Sequence, residues 1–262
     1  MQVYADLRIL TARPSPDDEA VAPHHLFGVV DAAETWSVGR WLKTAIATLA
    51  EIAARGRPAI VVGGSGLYFR ALTVGLAEMP GVPAAVRAEV QALYDEIGDG
   101  AFRGRVAEAD PSAAERIAAG DRQRLTRAYE VFAATGRPLS AWQANTHPAL
   151  AAGTWRAIVI EPPREALYAR CDARLSAMLD AGALKEVARL AERRLDARLL
   201  AMKALGVVPF AAYLRGEIGL DEALQQARRD TRHYAKRQLT WFRHQVPEWP
   251  RAASAEAVVG DP

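Results

Sequence analysis

Cationic and aromatic side chains alternate near the end of the chain, in the segment from Thr231 to Arg243. Arg232, Lys236 and Arg243 could neutralise phosphates, while the aromatic rings and planar guanidinium groups could stack on unpaired bases. RNA is therefore the first partner that this segment suggests. The same pattern is also typical of an amphipathic helix whose apolar side chains pack inward while its cations face solvent. Composition alone leaves both interpretations open.

Two predicted helices carry cations at spacings that could hold phosphate groups. In the first, Gln123 and Arg127 lie four residues apart on one face, and Asp121 would cap the helix. In the second, Arg170 and Arg174 share a face and could hold a diphosphate by charge-assisted hydrogen bonds. Each set more often forms ordinary ion pairs with nearby carboxylates, here Glu130 and Asp172.

A glycine-rich turn, Gly63-Gly-Ser-Gly66, follows the apolar run 58–62 and precedes a helix predicted from Leu67 to about Thr73. The run is predicted to be a buried parallel strand. Backbone N–H groups at the turn could face an anion, but strand-to-helix turns also need glycine for conformational reasons alone. The chain contains no GxxxxGK sequence followed by Ser or Thr, and so no Walker A phosphate loop.

These motifs are predicted to lie on an α/β protein with a parallel sheet. One strand–turn–helix unit spans 58–73, and a second consists of the apolar run 155–160 followed by a helix from Arg164 to Asp180. The stretch between the two units lacks a convincing strand, which favours an all-helical insertion into the core. Helical patterns occur there at roughly 84–96, 99–108, 111–118 and 121–134. The chain is again helical from Ala183 to about His244, and we expect it to fray after Val246.

The composition indicates a globular protein whose affinity for nucleic acid would be local. Of 262 residues, 33 are Lys or Arg and 31 are Asp or Glu, which gives a net charge of only +2. Any RNA-binding surface must therefore be a local patch. A single cysteine, Cys171, excludes an intramolecular disulfide, and the five histidines form no HExxH motif, so we expect no catalytic zinc. Without a secretory signal or a long apolar stretch, we expect a cytoplasmic protein that does not bind membranes.

The order of the motifs resembles that of the bacterial tRNA dimethylallyltransferases, also called tRNA isopentenyltransferases or the IPP transferase family. Thr231–Arg243 is the most specific match, and the matching motifs together cover nearly the full chain. The others include Met1-Gln-Val-Tyr4, Gly63-Gly-Ser-Gly-Leu-Tyr68, Gln123-Arg-Leu-Thr-Arg127 and Ala201-Met-Lys-Ala-Leu-Gly206.

The resemblance implies an α/β fold with a P-loop NTPase-like parallel sheet core and a helical C-terminal part. Residues 1–75 and 147–250 would form this core and its C-terminal helices. Residues 76–146 would form an all-helical insertion domain that closes over the anticodon arm, and 251–262 would be a tail. We expect a monomer.

The resemblance also implies a reaction, the transfer of a dimethylallyl group from dimethylallyl diphosphate to the exocyclic amine of the adenine just 3′ of the tRNA anticodon. Mg²⁺ would assist, and Arg174 would stabilise the transferring or leaving group. The adenine must leave the stacked loop, which requires a surface that grips the tRNA anticodon stem-loop. The positions that match tRNA contacts in the family are Met1, Gln2, Ser65, Arg87, Gln123, Arg124, Leu125, Thr126, Arg127, Met202, Lys203, Gly206, Lys236, Arg237, Gln238, Thr240, Trp241 and Arg243.

The chain departs from the family at its beginning. Family members open with a strand and a P-loop that binds the prenyl diphosphate, and an Asp-Ser pair then precedes the Met-Gln-Val-Tyr motif. That Asp is the proposed general base, whereas here the motif begins at Met1. The resemblance therefore implies that the first strand, the P-loop and the base are missing, through a start codon assigned too late or a true deletion.

This departure bears directly on activity. Loss of a general base alone costs on the order of a hundred- to ten-thousandfold in rate, so we expect this chain by itself to be inactive or severely impaired. One alternative is a tRNA-binding remnant without chemistry. A further alternative is a nucleotide-dependent, kinase-like α/β protein, which would need the same missing phosphate loop and would leave Thr231–Arg243 unexplained.

Overall fold

The computed structural model describes residues 1–259, which form two compact units. The first unit combines Met1–Tyr68 with the chain from Gly153 onward, and the second comprises Phe69–Ala152. The helices are α1 (Pro16–Val21), α2 (Val38–Ala54), α3 (Gly66–Thr73), α4 (Ala84–Ala109), α5 (Pro111–Arg116), α6 (Arg122–Thr135), α7 (Leu139–Gln143), α8 (Arg164–Asp180), α9 (Ala183–Glu192), α10 (Val207–Leu214), α11 (Leu220–Gln245) and α12 (Glu256–Val259). A 3₁₀ turn covers Ala201–Lys203. Within residues 1–259, no helix combines the length and the hydrophobicity that crossing a membrane requires.

The first unit contains a small parallel sheet of two strands, β1 (Val159–Ile160) and β2 (Arg251–Ala252). Val246 and Trp249 are buried just before β2, and the Trp249 ring packs edge to face on that of Trp155, with 5.9 Å between ring centroids. The prediction that the chain frays after Val246 is therefore wrong as far as Ala252. Of the predicted tail, residues 260–262 lie outside the described part of the chain.

The run 58–62, which we predicted to be a buried parallel strand, forms no strand with any other described segment. Its side chains Ile60 and Val62 are 88% and 78% exposed. A strand needs a neighbour that supplies backbone hydrogen-bond partners, and an apolar run does not reveal whether that neighbour is present. The predicted burial is therefore wrong for the described chain, and of the predicted strand 155–160 only Val159–Ile160 pairs.

Helix α11 is amphipathic and forms the centre of the helical packing in the first unit. Its buried side chains recur every four residues at Ala223, Ala227, Thr231 and Ala235, which is the spacing of one helical face. Because most of them are small, α8 and α10 can approach the α11 backbone closely. The prediction of a helix from Arg164 to Asp180 is confirmed by α8.

The second unit is helical, and its core lies between α4 and α6. Phe102 of α4 and Leu125 of α6 are fully buried there, and the Phe102 ring packs edge to face on Tyr129 at 5.4 Å between centroids. A left-handed Gly98 (φ 74°) interrupts α4 and separates the two helical patterns predicted at 84–96 and 99–108. These helices are therefore confirmed, together with the break between them.

A buried aspartate at the end of α4 ties α4, α5 and α7 together, and its own N–H donates to a carbonyl of the last turn of α4. Asp110, 1% exposed, caps α5 by accepting the Ala113 N–H at 3.0 Å, and it also accepts the Ser140 N–H in the first turn of α7 at 2.8 Å. Burial alone would raise the pKa of Asp110, but the hydrogen bonds from Ser140 and Ala113 lower the pKa below its usual value. Asp110 therefore stabilises this unit as a carboxylate.

Candidate nucleic-acid interface

The face of α11 that points away from the core carries a row of exposed polar and cationic side chains, which we call the α11 stripe. Each member lies three or four residues from another member, so the row continues along one side of the helix. Its members are His233, Lys236, Arg237, Thr240, Arg243 and His244. The amphipathic and the RNA-binding interpretations of this segment are therefore compatible, because packing uses one face and leaves the cations on the other.

Two of the three cations that we expected to neutralise phosphates are held in ion pairs. The guanidinium Nε of Arg232 lies 3.1 Å from a carboxylate oxygen of Asp172 in α8. Arg243 donates from Nε to Glu161 at 2.8 Å and also from Nη2. Among the described residues no carboxylate pairs with Lys236 or Arg237. The readily available positive charge of the segment therefore lies at these two positions.

A groove of about 170 Å³ separates the α11 stripe from the turn that leads into α10. Lys203, His233 and Arg237 line it with basic groups, and Asp230 lies at the same groove. Gly206 also lines the groove and adopts a left-handed φ of 88° at the start of α10. A Cβ at Gly206 would lie only 2.9 Å from Cδ2 of Leu10, so glycine is required by conformation and by space. The structure thus brings Lys203 and Gly206 next to Arg237; Met202, half-buried, lies in the same 3₁₀ turn.

The glycine-rich turn before α3 packs directly on α11. A Cβ added to Gly64 would overlap the side-chain amide of Gln238, and one added to Gly66 would overlap the ring of Trp241. The absence of a Cβ at these glycines therefore makes room for two side chains of α11, which supports the conformational role of the turn and leaves anion binding a prediction. Between them, Ser65 remains exposed. Gln238 and Trp241 are half-buried because they face this turn.

Helix α8 carries the arginine pair. Arg170 and Arg174 are exposed, and within residues 1–259 neither forms an ion pair with a carboxylate. Asp172, the partner that the sequence suggested for them, pairs instead with Arg232 of α11. Arg174 is therefore available to an anionic ligand.

The predicted positions of the second unit lie at the start of α6 and of α4. Leu125 and Thr126 are 0% and 2% exposed, so their side chains belong to the core and can influence a ligand only by holding α6 in place. Gln123 is exposed, and Arg124 forms an ion pair with Asp121 at 3.0 Å. The Nη1 of Arg127 lies 3.6 Å from a carboxylate oxygen of the buried Glu130. Arg87 is exposed in the first turn of α4.

At the beginning of the chain, Met1 is 44% exposed and Gln2 is half-buried. The Gln2 amide Nε2 donates to the backbone carbonyl of Ala12 at 2.9 Å. Burial also lowers the pKa of the α-amino group of Met1.

Sequence reasoning missed two residues of this interface. Glu161 directly follows β1 and binds Arg251 at 3.2 Å as well as Arg243. Its position could have drawn attention, because polar residues at the carboxyl ends of parallel strands often belong to sites. His233 lines the groove but was not among the predicted site residues, because nothing in the sequence connects it with Lys203.

Comparison with known proteins relates most of the chain to one family. Residues 2–245 match the family model described as IPP transferase. A tRNA dimethylallyltransferase of Phenylobacterium zucineum (strain HLK1) is 61% identical over 251 residues, which are 96% of this chain and 81% of that protein. Another, from Caulobacter sp. (strain K31), is 57% identical over the same shares of the two chains.

Two solved structures also resemble this chain over most of its length. The tRNA isopentenylpyrophosphate transferase of Bacillus halodurans is 30% identical with a TM-score of 0.65, covering 96% of this chain and 78% of that one. A eukaryotic dimethylallyltransferase acting on tRNA has a TM-score of 0.78 at 24% identity, covering 92% of this chain and 61% of that one; it shows likeness of fold alone.

Proposed function

Since the chain belongs to the IPP transferase family, we propose that it transfers a dimethylallyl group from dimethylallyl diphosphate to the exocyclic amine of the adenine just 3′ of a tRNA anticodon. The observation that carries this proposal is the high identity, along almost the whole chain, to proteins named tRNA dimethylallyltransferase.

The geometry of the first unit supports RNA as the partner. Lys236 and Arg237 present charges without a carboxylate partner among the described residues, and Lys203 and His233 line the adjoining groove. A phosphate backbone that passed along the α11 stripe would meet Lys236 and Arg237 at neighbouring positions of the helix, with Lys203 at the adjoining groove. We propose the tRNA anticodon stem-loop as this partner, with the exposed cations of α6 and Arg87 as further contacts.

In the reaction, the exocyclic nitrogen of the adenine forms a bond to the first carbon of the dimethylallyl group while the bond from that carbon to the diphosphate oxygen breaks. Negative charge accumulates on the departing diphosphate, and Arg174 is proposed to stabilise it because its guanidinium is exposed and pairs with no described carboxylate. The amine also loses a proton. That proton passes to a base or to water.

Magnesium remains an expectation of the family resemblance. Within residues 1–259, no three His, Cys, Asp or Glu side chains are grouped so that they could hold a metal ion. The described chain therefore supplies no protein cage for Mg²⁺, an ion that is often held mainly by substrate phosphates and water. We assign no step to it.

We further propose that this chain by itself transfers the prenyl group very slowly. One observation supports this: the sequence contains no Walker A motif, and so no phosphate loop that could hold the prenyl diphosphate. A tRNA-binding protein without chemistry is the alternative.

To test both proposals, the chain is incubated with labelled dimethylallyl diphosphate and an anticodon stem-loop RNA, and transfer of the label to the RNA is measured. The Phenylobacterium zucineum relative is the positive control. A second chain carries, fused before Met1, the P-loop segment that family members have ahead of the Met-Gln-Val-Tyr motif. We expect transfer by the fusion and little or none by the chain alone. Transfer by the chain at the rate of the relative would contradict the impairment. A folded fusion that binds the RNA but transfers nothing would refute the proposed reaction and favour the binding protein.

A further inference from the structure

A buried carboxylate on α9 holds a turn near the beginning of the chain. Glu186 is 3% exposed, and its two oxygens accept the backbone N–H groups of three consecutive residues, Arg8 at 2.7 Å, Ile9 at 2.7 Å and Leu10 at 2.9 Å. A buried carboxylate is costly unless hydrogen bonds satisfy it, and charge-assisted bonds of this length are strong ones. Glu186 therefore fixes the backbone of this turn.

This turn, residues 8–12, orients the side chain of Gln2. The N–H of Ala12 donates to the carbonyl of Ile9 at 2.9 Å, and Ala12 adopts a left-handed φ of 50°. That conformation is uncommon for a residue with a side chain and persists only when the surroundings impose it. The carbonyl of Ala12 accepts the Nε2 hydrogen of Gln2 at 2.9 Å, so the Gln2 amide has a defined orientation. Oε1 can then accept a hydrogen bond from a ligand, and the second Nε2 hydrogen can donate one.

Arg193 stabilises the segments on either side of the Tyr4–Val30 bridge, near Gln2. Arg193, immediately after α9 and two helical turns beyond Glu186, pairs with Asp6 and with Asp31, the latter at 2.6 Å. These two aspartates follow Tyr4 and Val30, which form an isolated parallel bridge. The hydrogen bond from Arg193 lowers the pKa of Asp31. The N-terminal segment is thus anchored at two places, and Glu186 acts on the part that carries the Ala12 carbonyl.

We infer that Glu186 is a positioning residue for RNA binding, which it promotes by fixing the 8–12 turn and thereby the side-chain amide of Gln2. This inference rests on the proposed function, because it requires that Gln2 contact the RNA. Glu186 itself, buried beneath the turn, contacts no ligand. Replacing one carboxylate oxygen by an amide group would leave at least one of the three N–H donors without an acceptor, and the turn would loosen.

The test is a double-mutant cycle with Glu186→Gln and Gln2→Ala, measured as the Kd for an anticodon stem-loop RNA. Loss of a single hydrogen bond weakens binding by about three- to tenfold, so we expect Gln2→Ala to have an effect of this size and Glu186→Gln to have no larger one. In the Gln2→Ala background, Glu186→Gln should have less than about a twofold further effect, because coupled residues are not additive. Glu192→Gln, the same change at an exposed position of α9, is the matched control and should leave the Kd unchanged.

Hydrogen exchange of the Arg8, Ile9 and Leu10 amides gives a readout that does not depend on RNA. These amides should exchange faster in Glu186→Gln than in the Glu192→Gln control. Should Glu186→Gln fail to fold, Glu186→Asp, which keeps the charge on a shorter side chain, takes its place in the cycle.

If the wild-type chain binds the RNA, and Glu186→Gln weakens binding by the same factor with and without Gln2→Ala, the two residues act independently. That result would overturn this inference and leave the proposed function standing. A wild-type chain that folds but does not bind the RNA would overturn the RNA-binding part of the proposed function and this inference with it.

Discussion

The indole ring of Trp241 in α11 occupies the space in which Gly66, at the start of α3, would carry a Cβ. Three ring atoms would overlap such a carbon, and the same indole forms a T-shaped contact with the Phe242 ring at 5.1 Å between centroids. The glycine-rich turn is thus a packing surface for α11, the helix that carries the α11 stripe. Trp241 therefore has a packing role, whatever contact it makes with a ligand.

Substitution of Gly66 by alanine should destabilise the first unit. The added methyl group must displace the Trp241 ring, and overpacking of this kind costs about 1–3 kcal/mol. Urea unfolding followed by tryptophan fluorescence measures the change. Gly104→Ala in α4 is the control, since a Cβ there meets nothing within 4 Å and should be neutral or stabilising. Equal stability of the Gly66→Ala variant and the wild type would contradict the close packing.

Arg237→Ala should weaken binding of an anticodon stem-loop RNA without a large change in stability. The side chain is exposed, lines the groove and pairs with no described carboxylate. If it neutralises one phosphate, the slope of log Kobs against log salt concentration should fall by about 0.7–0.9. A salt titration compares it with Lys185→Ala, an exposed cation of α9. An unchanged slope for Arg237→Ala would argue against the α11 stripe as the RNA-binding surface.

Trp241→Ala, in contrast, should lower both RNA affinity and stability. Removing a large, half-buried aromatic side chain leaves a cavity beside Gly66 and typically costs about 3–5 kcal/mol when burial is complete, and less here. Thermal unfolding of the free chain separates this loss from the loss of binding. A variant with wild-type stability and weaker binding would show that the packing role is minor.

Asp110→Asn should destabilise the second unit near neutral pH. The wild-type carboxylate has a lowered pKa in the folded state, so its stabilisation is present above the usual value of 3.8 and is lost as the pH falls through the lower folded value. Loss of such hydrogen bonds costs about 1–3 kcal/mol at pH 7, and the difference from the wild type should shrink at strongly acidic pH. Urea unfolding at both pH values tests this, with the exposed Glu89→Gln as the control. A difference that does not depend on pH would exclude the carboxylate as the cause.

Arg174→Gln should slow prenyl transfer while RNA binding stays unchanged. Measured by single-turnover kinetics in the fusion that carries the P-loop segment, loss of one group that stabilises developing charge costs on the order of a hundred- to a thousandfold. Arg170→Gln, one turn earlier on the same face of α8, is the matched control and should have a much smaller effect. Comparable losses in the two variants would indicate a general electrostatic effect rather than a specific role for Arg174.

Helices were predictable because their hydrogen bonds join residues close in sequence. The periodic apolar residues predicted α8 with its two boundaries, and they predicted both parts of α4 on either side of Gly98. The predicted strand 58–62 does not form among the described residues, and periodicity could not reveal this, because a strand depends on a distant partner. The motif order likewise identified the family from sequence alone, as the match over residues 2–245 confirms.

The sequence by itself determined which side chains could bind RNA, and the tertiary structure decided which of them are available. Arg232 and Arg243 look equivalent to Lys236 in the sequence, yet Asp172 and Glu161, from distant segments, hold the first two in ion pairs. The tertiary structure also decided that the glycine-rich turn packs against α11. It likewise decided that Glu186 fixes the 8–12 turn, whose Ala12 carbonyl binds Gln2. The physical reason is the same in each case: ion pairs, close backbone contacts and long-range hydrogen bonds join residues that only folding brings together.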